Sequence, residues 1–123
     1  MKLHLESASA KNTFTGYGEG YVMVNGQRIG KSVVVLPERI LADWPAASFA
    51  DLKPEHLAAL TGLDREIVLL GTGAKQRFPR PEIVAPLVRA GIGVEVMDLQ
   101  AACRTYNILM GEGRKVAAAL LIE

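Results

Sequence analysis

The residues best suited to chemistry stand together in the middle of the chain. Gly71-Thr72-Gly73 closes an apolar run, and Lys75, Arg77 and Arg80 follow before Pro81 opens a helical pattern. Glycines expose backbone N–H groups, and the amino end of a helix carries partial positive charge, so this combination suits an anion. Two familiar phosphate loops fail on spacing. Started from Gly71, a Walker loop G-x-x-x-x-G-K-[ST] places its second glycine on Gln76. The dinucleotide fingerprint G-x-G-x-x-G is met at Gly71 and Gly73, but its third glycine also falls on Gln76. Asp98 stands at the end of the next strand, where dinucleotide folds place a ribose-binding acid, so that match is partial. Two readings stay open. One is a small-anion pocket built from Gly71, Thr72, Gly73, Arg77 and Arg80, with Asp98, Arg104 and Asn107 beside it. The other is a plain strand-to-helix turn whose cations face water.

The remaining reactive residue types point to structure. Cys103 shares a helical stripe with Leu99, Ala102 and Tyr106, the setting of a buried, inert thiol. His56 lies on a helix beside Glu55 and reads as a surface residue or a satisfied core edge, while His4 has no visible partner. Asp98 reads first as a helix N-cap. Arg104 and Asn107 fall off the apolar stripe and are free to face a groove or water. Trp44 is expected in the core. No Ser-His-Asp pattern, paired carboxylates or metal-ligand spacing is found. One cysteine and two histidines cannot form a multi-thiolate zinc site, and no cofactor is expected.

These residues need elements to position them. Lys2–Glu6 alternates like a short strand, and the glycine-rich stretch 7–20 reads as a flexible loop. Asn25-Gly26 between apolar flanks predicts a two-residue hairpin turn, and the β-branched run before Pro37 predicts a strand. Leu52, His56, Leu57 and Leu60 keep helical spacing, with Pro54 in the first turn and Gly62 as the carboxyl-terminal cap. The patterns that follow are a strand near Ile67–Gly71, a helix from Pro81 to Gly91, a strand near Gly93–Met97, a helix from Leu99, and a strand near Lys115–Leu121. Pro86 should bend the first of these helices or delay its start. Fully apolar strands alternating with helices imply parallel pairing with both faces covered. The expected fold is therefore one three-layer α/β domain over residues 1–123: a mixed sheet with a parallel βαβαβ portion plus an amino-terminal antiparallel hairpin.

Composition narrows the function classes. The chain has 123 residues, half of them hydrophobic and 22% charged, enough for one domain with an ordinary core. A formal net charge of +1 provides no electrostatic footprint for nucleic acid. A single cysteine rules out an internal disulfide. The amino terminus has no apolar segment long enough for a signal peptide and no mitochondrial targeting extension, and no run approaches the ~20 apolar residues of a membrane span. A reducing, cytoplasmic location is expected.

The strings EIVLLGTG and GIGVEVMDLQAACRTYNILMGEGRKVAAALL resemble a known family, most specifically over Leu69–Thr72 and Met97–Arg114. That family includes the respiratory complex I assembly factor 3 and the adipogenesis-associated Mth-type domain protein, with many uncharacterised bacterial and archaeal members. The resemblance implies a three-layer α/β fold with a mixed sheet. It also implies, by analogy with the mitochondrial member, an assembly role through protein partners, including components of respiratory-complex assembly. Members often carry Thr after the aspartate; here the position is Leu99, so a hydroxyl that could cap the helix or touch a ligand is missing. The leading expectation is a non-catalytic interaction and assembly module. The alternative is a small-anion or small-ligand domain, or an enzyme, with its site at the Gly71–Gly73 loop.

Overall fold

Turn chemistry and short β-branched runs organise the amino-terminal half. In the computed structural model, which describes residues 11–123, β1 spans Phe14–Gly18, β2 Tyr21–Val24 and β3 Gln27–Ile29. They form one antiparallel sheet in the order β1-β2-β3. The β2–β3 turn is Asn25-Gly26, with φ of 52° and 80°, the two positive values an Asn-Gly hairpin uses. β1 corrects an expectation, since Phe14–Gly18 falls in the stretch read as a loop. Its two glycines disfavour a strand locally, but it is held from both sides. β2 pairs along one edge. On the other, the Asn107 amide acts like a backbone unit: Phe14 N–H donates to Oδ1 at 2.9 Å, and Nδ2 donates to Phe14 C=O at 2.8 Å. The expected strand Lys2–Glu6, His4 within it, and residues 7–10 of that loop lie outside the described residues.

The second sheet contains β4 (Val33–Leu36), β5 (Arg39–Leu41), β6 (Ile67–Gly71), β7 (Gly93–Met97) and β8 (Val116–Leu120) in the order β5-β4-β8-β6-β7. β6 pairs in parallel with both β7 and β8, as the alternating pattern requires, and β4 is antiparallel to β5 and β8. The helices are α1 (Pro54–Ala58), α2 (Pro81–Arg89) and α3 (Leu99–Gly111). α1 is shorter than expected and Gly62 does not cap it. Ala59 does, and the chain tightens into a 3₁₀ turn at Thr61–Leu63 that closes with Asp64 in the left-handed conformation. Leu57 and Leu60, three residues apart, are both buried on the core side just before this turn. α2 runs through Pro86 without delay. The missing N–H costs one bond, to the carbonyl of Glu82, an exposed residue within reach of water.

Three layers result. Leu57 and Leu60, with Ile83 and Leu87 of α2, pack on one face of the five-stranded sheet against Val34, Val68, Leu70 and Ala119. Leu99, Cys103 and Tyr106 of α3, with Phe14 and Val22 of the small sheet, pack on the other face against Val33, Val35, Leu69 and Leu120. Trp44 is buried as expected, and its Nε1 donates to the His56 carbonyl at 3.0 Å. Replacing Asn107 with Ala strips one N–H and one C=O of β1 of their partners. Unfolding in urea should show a loss of roughly 1–3 kcal/mol. Amide exchange at Phe14 should accelerate more than at Val22, a β2 residue that also pairs with Ile29 of β3 independently of Asn107.

Candidate functional site: a cleft at the carboxyl ends of the parallel strands

The topology itself opens a crevice. The connection leaving β6 enters α2 on one face of the sheet, and the connection leaving β7 enters α3 on the other. Neighbouring strands whose connections part in this way leave a gap outside their carboxyl ends. Here the gap is a cleft of about 750 Å³. Gly73, Lys75 and Arg77 enter it after β6, Asp98 and Gln100 after β7, and Glu123 after β8; Tyr17 and Glu19 come from the β1–β2 hairpin.

The loop after β6 closes on itself rather than cradling a ligand. Thr72 is fully buried. Its hydroxyl donates to the Lys75 carbonyl at 2.6 Å and accepts from the Arg77 N–H at 3.0 Å. Arg77 Nη2 donates to the Thr72 carbonyl at 2.7 Å and to Glu123 Oε2 at 2.8 Å, and its guanidinium lies 4.7 Å over the Phe49 ring. Glu123 Oε2 also accepts from the Phe49 N–H at 2.9 Å. Those two bonds, the Phe49 one foremost, hold the Glu123 carboxyl below its ordinary 4.5. Arg77 Nε is buried without a hydrogen-bond partner among the described residues. Gly73 has φ of 92°, which strains any side chain, and a Cβ there would also crowd Arg77 Nη2 at 3.3 Å. Gly71 is needed for packing: its added Cβ would lie 2.8 Å from Leu120 Cδ2 and 3.2 Å from Ala102 Cβ.

The other expected site residues separate. Asp98 lines the cleft as the N-cap of α3, where Oδ1 accepts from Ala101 N–H at 2.8 Å. Arg80 is 80% exposed, pairs with Glu82 at 3.5 Å and does not line the cleft. Arg104 is exposed on α3, and Asn107 is engaged with β1; neither reaches the cleft. Charge in the cleft is mixed, with Glu19, Asp98 and Glu123 against Lys75 and Arg77. Among the described residues no group of three or more His, Cys, Asp or Glu is placed to hold a metal ion. His56 accepts the Lys53 N–H on Nδ1 at 3.0 Å, the satisfied edge role expected of it. Cys103 is buried, and loss of hydration pushes its thiol up to about 12.

Sequence reading missed Glu123 and Phe49. Arg77 and Glu123 are 46 residues apart and Phe49 and Glu123 are 74 apart, so no local spacing could have linked them. Gln76 was also missed: its Nε2 reaches sideways to the Val96 carbonyl of β7 at 2.8 Å.

The fold defines a small three-layer α/β domain with a cleft at the ends of its parallel strands, in which Arg77 and Glu123 pair with each other. The chain belongs to the DUF498/DUF598 family of proteins of unknown function, which matches residues 14–121. It is 36% identical over 118 residues to the NADH dehydrogenase [ubiquinone] 1 alpha subcomplex assembly factor 3 of Danio rerio, covering 94% of this chain and 67% of that protein. The cow counterpart is 34% identical, and there the chain spans 65% of the relative's length. A 13 kDa major membrane protein of Francisella tularensis is 30% identical over 98% of this chain and 99% of its own. Among solved structures, a Bordetella parapertussis protein shares 48% identity at a TM-score of 0.87, covering 94% of this chain and 99% of that one. No helix among the described residues is long and apolar enough to cross a membrane.

Two outcomes test this arrangement. Cys103 should react with a thiol reagent at neutral pH no faster than the protein opens, because burial disfavours the thiolate; rapid stoichiometric labelling of the native state would contradict it. Glu123 has a lowered folded-state pKa, so its contribution is fully present above the unfolded value of 4.5 and is lost as pH falls through the folded value. Wild type should therefore exceed Glu123→Gln in stability at pH 7. The gap should begin to shrink as pH drops below 4.5, read by denaturant unfolding across the acid range.

Proposed function

We propose that this chain is a binding and assembly module of the kind its assembly-factor relatives are named for, with protein partners that include components of respiratory-complex assembly, and without a reaction of its own. The observation that carries the reading is the outer edge of β7, which pairs with no other strand among the described residues. The other ends of the sheets are short or covered: β3 and β5 have three residues each, and Asn107 covers β1 at Phe14. β7 has five residues at the end of its sheet. Gly93 N–H bonds to Glu66 and Met97 C=O to Thr72, so the alternate residues Val94 and Val96 direct their backbone groups away from β6. Gln76 satisfies only the Val96 carbonyl. A strand edge of this kind pairs with an extended segment of another protein. Phe78, 72% exposed, and Val88, 60% exposed, add apolar surface on the segment that links β6 to β7.

A second reading, a small-anion site in the cleft, is supported by Arg77 and by Lys75, which makes no ion pair among the described residues. Both readings depend on contacts outside the chain.

The assembly reading is tested by capture from the native source with mass spectrometry, comparing wild type with Val94→Pro. Proline removes one outward N–H of β7 and leaves its ladder to β6 intact. Capture should fall about tenfold or more, as when a hydrogen-bonded anchor is lost, while the unfolding midpoint moves by only a few degrees or less. Equal capture by both proteins would remove β7 as the docking edge. No specific capture by wild type would remove the module reading.

A further inference from the structure

We propose that the Arg77 end of the cleft is a carboxylate-binding site which Glu123 fills from within the chain, and that a carboxylate on a ligand enters by replacing Glu123 one for one. The proposal rests on the small-anion reading of the cleft and narrows it to one chemistry.

Two donors from distant parts of the chain converge on one oxygen. Arg77 Nη2 and Phe49 N–H approach Glu123 Oε2 at 2.8 and 2.9 Å, a charge-assisted pair of the sort that recognises carboxylates. Neither donor depends on Glu123 for its position. Arg77 is anchored by the Thr72 carbonyl and stacked over Phe49, in a loop that the Thr72 hydroxyl closes. Phe49 sits in a turn in which Leu52 N–H donates to its carbonyl at 3.2 Å. The receptor therefore survives the departure of its occupant.

The occupant is weakly held. Glu123 and Arg77 are 38% and 39% exposed, and ion pairs that meet water contribute little. Glu123 also leaves part of the receptor unused. Nε and Nη2 lie along one edge of a guanidinium, the edge that takes a carboxylate through two parallel bonds. Glu123 uses Nη2 alone, and Nε has no partner among the described residues. A ligand carboxylate that takes the place of Glu123 with its second oxygen turned toward the buried Nε satisfies both donors.

Charge selects the class. The cleft holds Glu19, Asp98 and Glu123 against Lys75 and Arg77. A displaced Glu123 keeps its charge beside the cleft, so a ligand monocarboxylate adds one negative charge near Glu19 and Asp98, whereas a phosphate dianion adds two.

The test follows the Phe49 amide by ¹⁵N NMR during acetate titration at fixed ionic strength and neutral pH. Glu123→Ala removes the internal competitor. Its Phe49 resonance should shift saturably, at acetate concentrations about tenfold or more below those needed by wild type. Adding Arg77→Gln to Glu123→Ala should abolish the shift, with the rest of the spectrum showing that the fold persists. Should Glu123→Ala fail to fold, Glu123→Gln serves as the neutral near-isostere. A folded Glu123 variant whose Phe49 amide does not respond to acetate overturns the proposal. A response to phosphate without one to acetate overturns it too, and leaves the broader small-anion reading standing. A blocked extended peptide with a single glutamate identifies the source: tighter binding than acetate assigns the site to a protein carboxylate, and equal binding assigns it to a free one, each being carboxylate exchange.

Discussion

β8 meets no water, and the rest of the molecule is arranged around that fact. All five residues, Val116 to Leu120, are fully buried, with an antiparallel neighbour on one side and a parallel one on the other. A strand buried on both faces and both edges must pair its whole backbone, since an unpaired N–H or C=O there costs as much as a lost hydrogen bond. It must also be thin. Ala118, on the α3 face, lets that helix approach β8 closely. The same demand reaches β6, where Gly71 leaves room for Leu120 and for Ala102 of α3.

The cleft follows from this packing. Because α3 lies close over the β6–β8 pair, its first turn is drawn to the strand ends, and Leu99 N–H donates to Gly73 at 2.8 Å. Past β8 the pairing continues in a different form: Leu121 N–H donates to Gly71 at 2.9 Å and Ile122 N–H to the buried Ser32 hydroxyl at 3.1 Å. Those two bonds deliver Glu123 to Arg77. The site is thus three strand ends fastened to one another, and its charged residues hold the connections in place as well as facing solvent.

This arrangement separates position from chemistry. The cleft lies where doubly wound α/β folds bind ligands, and it shares a Gly-x-Gly turn and a strand-end aspartate with dinucleotide sites. Yet Gly71 serves packing, Gly73 makes room for an arginine, and Asp98 caps a helix. The sequence left a small-anion pocket and a plain turn open; the hydrogen bonds describe a self-closed loop with one internal carboxylate at its mouth. The named relatives are assembly factors and a membrane protein, and the chain spans about two thirds of the assembly factors' length.

Much of the architecture was legible because it is written in local periodicity and turn chemistry. Apolar strands alternating with helical stripes predicted the parallel β6, β7 and β8, and Asn25-Gly26 predicted the hairpin. The buried Cys103 could be read from its stripe, and the family from the Met97–Arg114 string. Where local preference and tertiary context disagreed, context prevailed. β1 forms despite its glycines because Asn107, 93 residues away, completes its edge. α1 ends at Ala58 and the chain turns into a 3₁₀ segment at Thr61–Leu63, with Leu57 and Leu60 both buried before it. The site shows the divide most clearly. Sequence alone determined that cations follow the Gly71–Gly73 turn and that Asp98 starts a helix, since both are properties of adjacent residues. Only the tertiary structure decided that Arg77 turns inward to Phe49 and Glu123 while Arg80, three residues on, stays in water. A charge is committed by the partners the fold brings within hydrogen-bond reach, and those lie far away along the chain.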